Sequence, residues 1–227
     1  MTVILSIDGA CKRNGKPDCL SVGAVFVKPV DGEMEFNHVK AFEFGSTNQR
    51  GEMLALMEAL SAGLYYLGAG AEDIFLVSDS EYITNCINKE WYKNWQRKGW
   101  ITAAGEPVKN RDLWERIAYM LERYGDNELT VYHIKGHVFP FGRVAAKDLI
   151  KKDPTCHALY NAVRKKFEEV RVTKKDNITH AWELFIRNHG FEPPIESFEE
   201  MIVCNMTSDL IAGYYIDILD QEAANRS

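Results

Sequence analysis

The stretch that most constrains this chain is its first. Val3, Ile4, Leu5 and Ile7 make a short apolar, β-forming run that ends at Asp8-Gly9. Such a run reads as a buried strand that delivers a carboxylate to a tight turn, with glycine allowing the backbone to pass close beside it. An isolated Ile-Asp-Gly usually means no more than a strand-ending aspartate that bonds its own turn. Whether Asp8 does more depends on what the rest of the sequence brings to the same point.

Two further strands follow, Val22 to Val27 and Phe36 to Phe44, the first closed by a hairpin turn at Asp31-Gly32. Three consecutive strands of this kind make an antiparallel meander. Thr47 to Tyr66 carries Met53, Leu56, Met57, Leu60 and Leu64 at helical spacing. Ile74 to Val77 is a short buried strand that stops at Ser78-Asp79-Ser80. A strand, a helix and a strand joined by a crossover of this length imply parallel pairing and a right-handed connection. A helix from Glu81, a basic aromatic segment from Lys89 to Trp100, a helix over Arg111 to Tyr124 and a strand over Leu129 to Ile134 come next. Val138 to Lys152 reads as a long basic connection. Asp153-Pro154 reads as an N-cap with proline at the first helical position, opening a helix to about Val170. Two more helices are expected over residues 178–189 and 197–222, separated by Pro193-Pro194.

Composition narrows the classes. The chain has 227 residues, of which 46% are apolar, enough for a sizeable core. No apolar run approaches the length of a membrane span, and no signal-like leader is seen, so neither is expected. Five cysteines, odd in number and scattered, fit a reducing, cytoplasmic setting better than a disulfide framework or zinc site. The net charge is −6, but residues 143–175 hold ten Lys/Arg against four Asp/Glu, and residues 176–227 hold two against ten. Local patches, not the sum, decide whether a phosphate backbone is attracted.

Three carboxylates stand at element ends that can converge. Asp8 ends the first strand, Glu52 lies in the first turns of the first helix, and Asp79 ends the strand expected beside the first. Like charges brought that close are costly unless a cation neutralises them or one is protonated. An all-oxygen donor set suits Mg²⁺ or Mn²⁺ rather than zinc.

The stretches I7-D8-G9-A10-C11, S46-T47-N48-Q49-R50-G51-E52-M53, S78-D79-S80-E81-Y82, W95-Q96-R97-K98-G99-W100, P107-V108-K109-N110-R111-D112-L113-W114 and I134-K135-G136-H137 together resemble type 1 ribonuclease H, in the family's order and at nearly its spacing. The resemblance covers about residues 1–170. It implies the ribonuclease H-like α/β fold: a five-stranded mixed sheet, an antiparallel meander then parallel strands, flanked by helices. It also implies endonucleolytic hydrolysis of the RNA strand of RNA–DNA hybrids with two Mg²⁺ or Mn²⁺ ions. Asp8, Glu52 and Asp79 fall on three of the family's four metal-binding acids, and His137 on its loop histidine that handles protons or product release. Asn14, Asn48, Gln49 and Glu81 fall where the family meets the minor groove and the 2′-hydroxyl, with Gln49 and Glu81 departing from its usual residue types. Thr47 and Asn110 fall where it grips a DNA-strand phosphate. Lys89, Lys93, Trp95, Arg97, Lys98 and Trp100 fall in its basic protrusion.

The pattern breaks at the fourth acid. The family's last helix carries an aspartate where this chain has His157, in T155-C156-H157-A158-L159. Three residues compete for the place: His157 itself, Asp153 one turn earlier, and Asp148 if the helix starts sooner. A histidine ligand would favour Mn²⁺ over Mg²⁺. The substituted acid also leaves open a hybrid-binding module without catalysis, and a junction-resolvase or integrase-like nuclease is a third reading. On this basis residues 1–172 form the catalytic domain. Residues 173–227 form an acidic helical C-terminal extension that docks on that domain, self-associates or covers the basic 143–175 region.

Overall fold

A computed structural model describes residues 1–30 and 37–226; the expected turn at Asp31-Gly32 lies outside the described residues. Five strands, β1 (Thr2–Lys12), β2 (Leu20–Pro29), β3 (Asn37–Phe44), β4 (Asp73–Ser78) and β5 (Leu129–His133), form one sheet in the order β3-β2-β1-β4-β5. β1 is antiparallel to β2 and parallel to β4, and β4 is parallel to β5. The switch from antiparallel to parallel pairing falls on β1, whose two edges are both paired and whose two faces are both covered by helices.

Alternation along β1 assigns its side chains to two cores. Val3, Leu5 and Ile7 pack with α1 (Asn48–Gly68) and with Leu113, Trp114 and Ile117 of a later helix. Ile4 joins Phe26 and Val77 on the other face, under Leu159, Phe185, Phe198, Met201 and Ile202. The helices between β4 and β5 are α2 (Glu81–Asn88), α3 (Trp91–Arg97) and α4 (Arg111–Leu121). After β5 come α5 (Arg143–Lys152), α6 (His157–Val170), α7 (Lys175–His189) and α8 (Ile195–Arg226). Among the described residues no helix is long and apolar enough to cross a membrane.

One expectation is corrected. Residues 143–152 are a full helix, and Asp153 ends it rather than opening the next. The Asp153 carboxylate accepts from the backbone N–H of Thr155 (3.0 Å) and of Ala158 (2.7 Å), so it caps α6 from outside while the chain turns through Cys156 at φ 62°. Across 172/173 the packing is continuous, in keeping with the docked alternative for the C-terminal segment. Phe185 and Phe198 lie fully buried in the same core as Ile4 and Phe26, because α8 is laid directly on β1 and β2. The seam reaches the strand itself: the Ser6 and Ser208 hydroxyls, both fully buried, hydrogen-bond at 3.1 Å.

Ion pairs fasten the same helix. Asp217 meets Lys12 at 2.9 Å and Lys147 at 2.6 Å, and Asp220 pairs with Arg13. Glu200 accepts from the Tyr160 hydroxyl at 2.6 Å and stands 3.5 Å from Lys28. The acids of the C-terminal segment thus meet basic groups of the β1 end, β2 and α5.

Deleting residues 191–227 should therefore leave Ile4, Phe26 and Val77 uncovered and abolish cooperative thermal unfolding. A freestanding extension would leave the transition in place. Phe198→Ala should cost roughly 3–5 kcal/mol by chemical denaturation, the usual range for emptying a buried phenylalanine site.

Candidate active site

A cavity of about 470 Å³ opens where the C-terminal ends of β1 and β4 meet the start of α1 and the middle of α8. Its wall carries Asp8, Glu52, Asp79 and Asp209, together with His137. Each acid comes from a different part of the chain. Asp8 shares the strand face of Ile4 and Ser6, and so points toward α8. Asp79 follows Ser78 at the end of β4, whose Val77 pairs with Ser6 in parallel register. Glu52 enters from α1, on the opposite side of the sheet.

Close backbone approach makes this convergence possible. A Cβ on Gly9 would lie 2.7 Å from the backbone nitrogen of Glu52, and one on Gly136 would lie 2.0 Å from Asp79 Oδ2. Only glycine lets β1 pass α1, and the loop after β5 pass Asp79, at these distances.

Neighbours orient the acids. The Gly9 N–H donates to Asp8 Oδ1 at 2.7 Å. Glu52 accepts from Asn48 Nδ2 at 3.0 Å and from the Ser80 hydroxyl at 2.7 Å. His133 Nε2 lies 3.2 Å from the Asp79 carbonyl. His137, at φ 52°, brings Nδ1 to 3.5 Å from Asp209 Oδ2.

Burial, followed by the charges of Asp79 and Asp209, holds the Asp8 carboxyl well above the usual carboxylate range. Burial raises Asp79, with Asp209 adding to the rise and His137 opposing it. Burial also raises Glu52, Asp79 adds to it, and the Ser80 hydrogen bond opposes it. The acids crowd together on one buried wall of the cavity, which Lys12, Arg143 and His137 also line. Among the described residues no three acid, histidine or cysteine side chains already enclose a single point. The donor set itself, four carboxylates and no thiolate, fits a hard divalent cation, which would relieve the repulsion.

Asp209 is the acid on this wall that the sequence did not single out, and the three residues expected to compete for the fourth place lie away from it. His157, at the exposed start of α6, does not line the cavity, and neither do Asp153, spent on capping that helix, and Asp148, exposed on α5. The reason is topological: α8, not α6, lies against β1 beside Asp8. One signal was present. Asp209 is the sole charge between Met201 and Ile216, inside a helix stretch that is otherwise apolar or small and neutral.

The other candidates fall into two groups. Around the start of α1, Asn14 Oδ1 accepts from the Asn48 N–H at 3.3 Å, and Thr47 caps the helix by accepting from the Arg50 N–H at 3.3 Å. Asn110 Nδ2 donates to Gln49 Oε1 at 3.0 Å, and Arg50, clamped by Glu43 and Asp112, also reaches Asn110. Glu81 is exposed at the first position of α2. On and around α3, Lys89, Lys93, Arg97 and Lys98 are exposed, with Lys93 paired to Glu90. Trp100 is a correction: only 7% exposed, it belongs to the core and offers no stacking face. Trp95 is partly covered by an edge contact to Trp114, with ring centroids 5.6 Å apart.

A model of the RNase H family matches residues 1–147. The chain is 37% identical to a ribonuclease H of Clostridium botulinum over 135 residues, which is 60% of this chain and 83% of the relative. It is 39% identical to one from Syntrophomonas wolfei over 60% of this chain and 84% of that one. It is 37% identical to one from Pseudomonas fluorescens over 66% and 89%. Among solved structures, LC9-RNase H1 aligns with a TM-score of 0.48 at 22% identity, over 60% of this chain and 64% of that one.

The raised acids set a pH dependence. A carboxyl whose folded pKa lies above its unfolded value, near 4, binds protons more readily in the folded state. Stability conferred by that proton is therefore present at low pH and lost as pH rises toward the raised value. In chelator, the melting temperature should fall between pH 5 and pH 8 and recover on adding Mg²⁺. Asp8→Asn should melt higher than the parent in chelator at pH 8, by about 2–4 °C per kcal/mol of repulsion removed. An Asp8→Asn melt at or below the parent's would contradict the repulsion.

Proposed function

The chain belongs to the RNase H family, and we propose that it cuts the RNA strand of RNA–DNA hybrids internally, with Asp8, Glu52, Asp79 and Asp209 holding two divalent cations, Mg²⁺ or Mn²⁺. The observation that carries this reading is the meeting of four carboxylates from β1, α1, the end of β4 and α8 on one cavity. Held by these carboxylates, two such ions would supply the positive charge that favours a water nucleophile and a leaving oxygen at a phosphodiester.

The chain's own residues prepare the rest. Ser80 and Asn48 fix both oxygens of Glu52, so that its lone pairs face the cavity in one orientation. His137 on its exposed loop can accept or give up a proton beside Asp209. Asn48, Gln49 and Glu81 are hydrogen-bonding groups suited to a 2′-hydroxyl, which DNA lacks. Asn14, tied to Asn48, shares that surface. Thr47 and Asn110, grouped around Arg50, suit a phosphate of the DNA strand. Lys89, Lys93, Arg97 and Lys98 supply sequence-independent attraction to the backbone.

Asp209 also bears on the alternatives. A binding module without catalysis drew its support from a missing fourth acid, and an all-carboxylate site removes that support. It also removes the reason to expect Mn²⁺ to outperform Mg²⁺, because no histidine ligand is needed.

Cleavage of a labelled hybrid, beside duplex DNA and duplex RNA, tests the reading. The hybrid should be cut in Mg²⁺ and spared in chelator. Asp209→Asn should lower kcat on the order of 10²–10³-fold, as when one preorganised electrostatic contact is removed, whereas His157→Ala should stay within about twofold, as expected of an exposed side chain outside the site. Tight hybrid binding without cleavage in either ion would select the binding module instead.

A further inference from the structure

We propose that Cys11 and Cys19 are a disulfide-forming pair, an oxidation site at the rim of the catalytic cavity. Their sulfur atoms lie 2.8 Å apart. A disulfide spans about 2.05 Å, so less than an ångström of closure separates the thiol pair from the bond. The hairpin explains the meeting. Cys11 pairs across the strands with Ser21, and Cys19 lies two places nearer the turn on the same face. The other three cysteines, Cys86, Cys156 and Cys204, are buried in the two cores.

The two thiols differ in access. Cys19 is fully buried, while Cys11 is partly exposed and lines the same cavity as the four acids. An oxidant therefore meets Cys11 first. With hydrogen peroxide, the Cys11 sulfur attacks one peroxide oxygen, the O–O bond breaks, and a water leaves. The resulting sulfenic acid is attacked at sulfur by Cys19, the S–S bond forms, and the hydroxyl departs as a second water. Two thiol protons and two electrons have passed to the peroxide. Burial and the neighbouring Cys19 push the Cys11 thiol up to about 12. Little of it is thiolate at neutral pH, so the reaction is slow and calls for sustained exposure.

The bond would act on the turn it closes. The loop from Cys11 to Cys19 carries Asn14, whose Oδ1 lies 3.9 Å from Cys11 Sγ and accepts from the Asn48 N–H. Drawing Cys11 toward Cys19 takes its thiol from Asn14 and fixes the turn that supports the start of α1. This functional consequence rests on the proposed hybrid-cleaving activity; the bond itself does not.

The full chain is incubated with hydrogen peroxide, trapped with an alkylating reagent, and read by intact mass and peptide mapping. The expected result is a loss of two hydrogens, a Cys11–Cys19 cross-linked peptide, and reversal by dithiothreitol. Accumulation of Cys11 oxyacids without the cross-link, or alkylation of both thiols after prolonged oxidation, would overturn the site. Cys11→Ser, a change at a partly exposed position, should abolish the cross-link. A Cys19 cross-link persisting there with another cysteine would also overturn it. On the oxidised wild type, KM for a labelled hybrid should rise roughly 3–10-fold, the scale of one lost hydrogen bond, and return on reduction. A complete cross-link with unchanged KM would reject the coupling to Asn14 while leaving the bond standing. Absence of any cleavage by the reduced protein would instead fault the assigned activity.

Discussion

Carboxylates from inside β1, from just past β4 and from α8 crowd into one buried cleft, and the surrounding elements hold them there. Asp8 does not end its strand, as the sequence suggested, because β1 runs on to Lys12 opposite Leu20. Asp8 and Asp79 are close because β1 and β4 pair in parallel with Ser6 opposite Val77. Asp209 is close because α8 is pinned on both sides of it, by Ser208 against Ser6 and by Asp217 against Lys12 and Lys147. The packing of two cores stabilises the fold enough to carry an electrostatic cost of this kind. Raised carboxyl groups in a cleft are the usual mark of a site arranged for chemistry rather than for stability.

Much of this was legible from the chain alone, and the reasons are local. Asp8 and Asp79 each end an apolar run too short for anything but a buried strand, and Glu52 sits one turn into a strongly periodic helix. Their meeting follows from the handedness of a β–α–β connection. Gly136 was legible only as part of a motif; its reason, an Asp79 oxygen where a Cβ would stand, needed the structure.

The fourth acid was illegible for the opposite reason. Its place depends on which of four later helices covers β1, and no local pattern decides that. Asp153 looked like a helix opener because Asp-Pro suits that role, yet the proline follows the end of α5 and the acid caps α6 across a turn. The acidic balance of residues 176–227 left open whether the segment docks, self-associates or covers the basic 143–175 region. Several of those acids are spent on internal pairs with Lys12, Arg13, Lys28, Lys147 and Arg171. Charge counted along the sequence cannot distinguish a solvated face from a fastened one. In the basic segment Trp100 packs inward and Trp95 leans on Trp114, leaving the cations of the α3 region to face solvent.

The Ser6–Ser208 bond joins positions 202 residues apart. Loop-closure entropy makes contacts of such separation slow to form. The sheet with α1 and α4 can assemble largely from segments nearer in sequence, but the seam between β1 and α8 waits on the return of a distant helix. The same closure that seals the second core carries Asp209 to Asp8. A chain halted before it would have hydrophobic surface exposed and three of its acids in place, yet lack the carboxylate that completes the cluster. In this molecule the contact that closes the second core and the contact that brings the proposed fourth acid to Asp8 are made by the same stretch of α8.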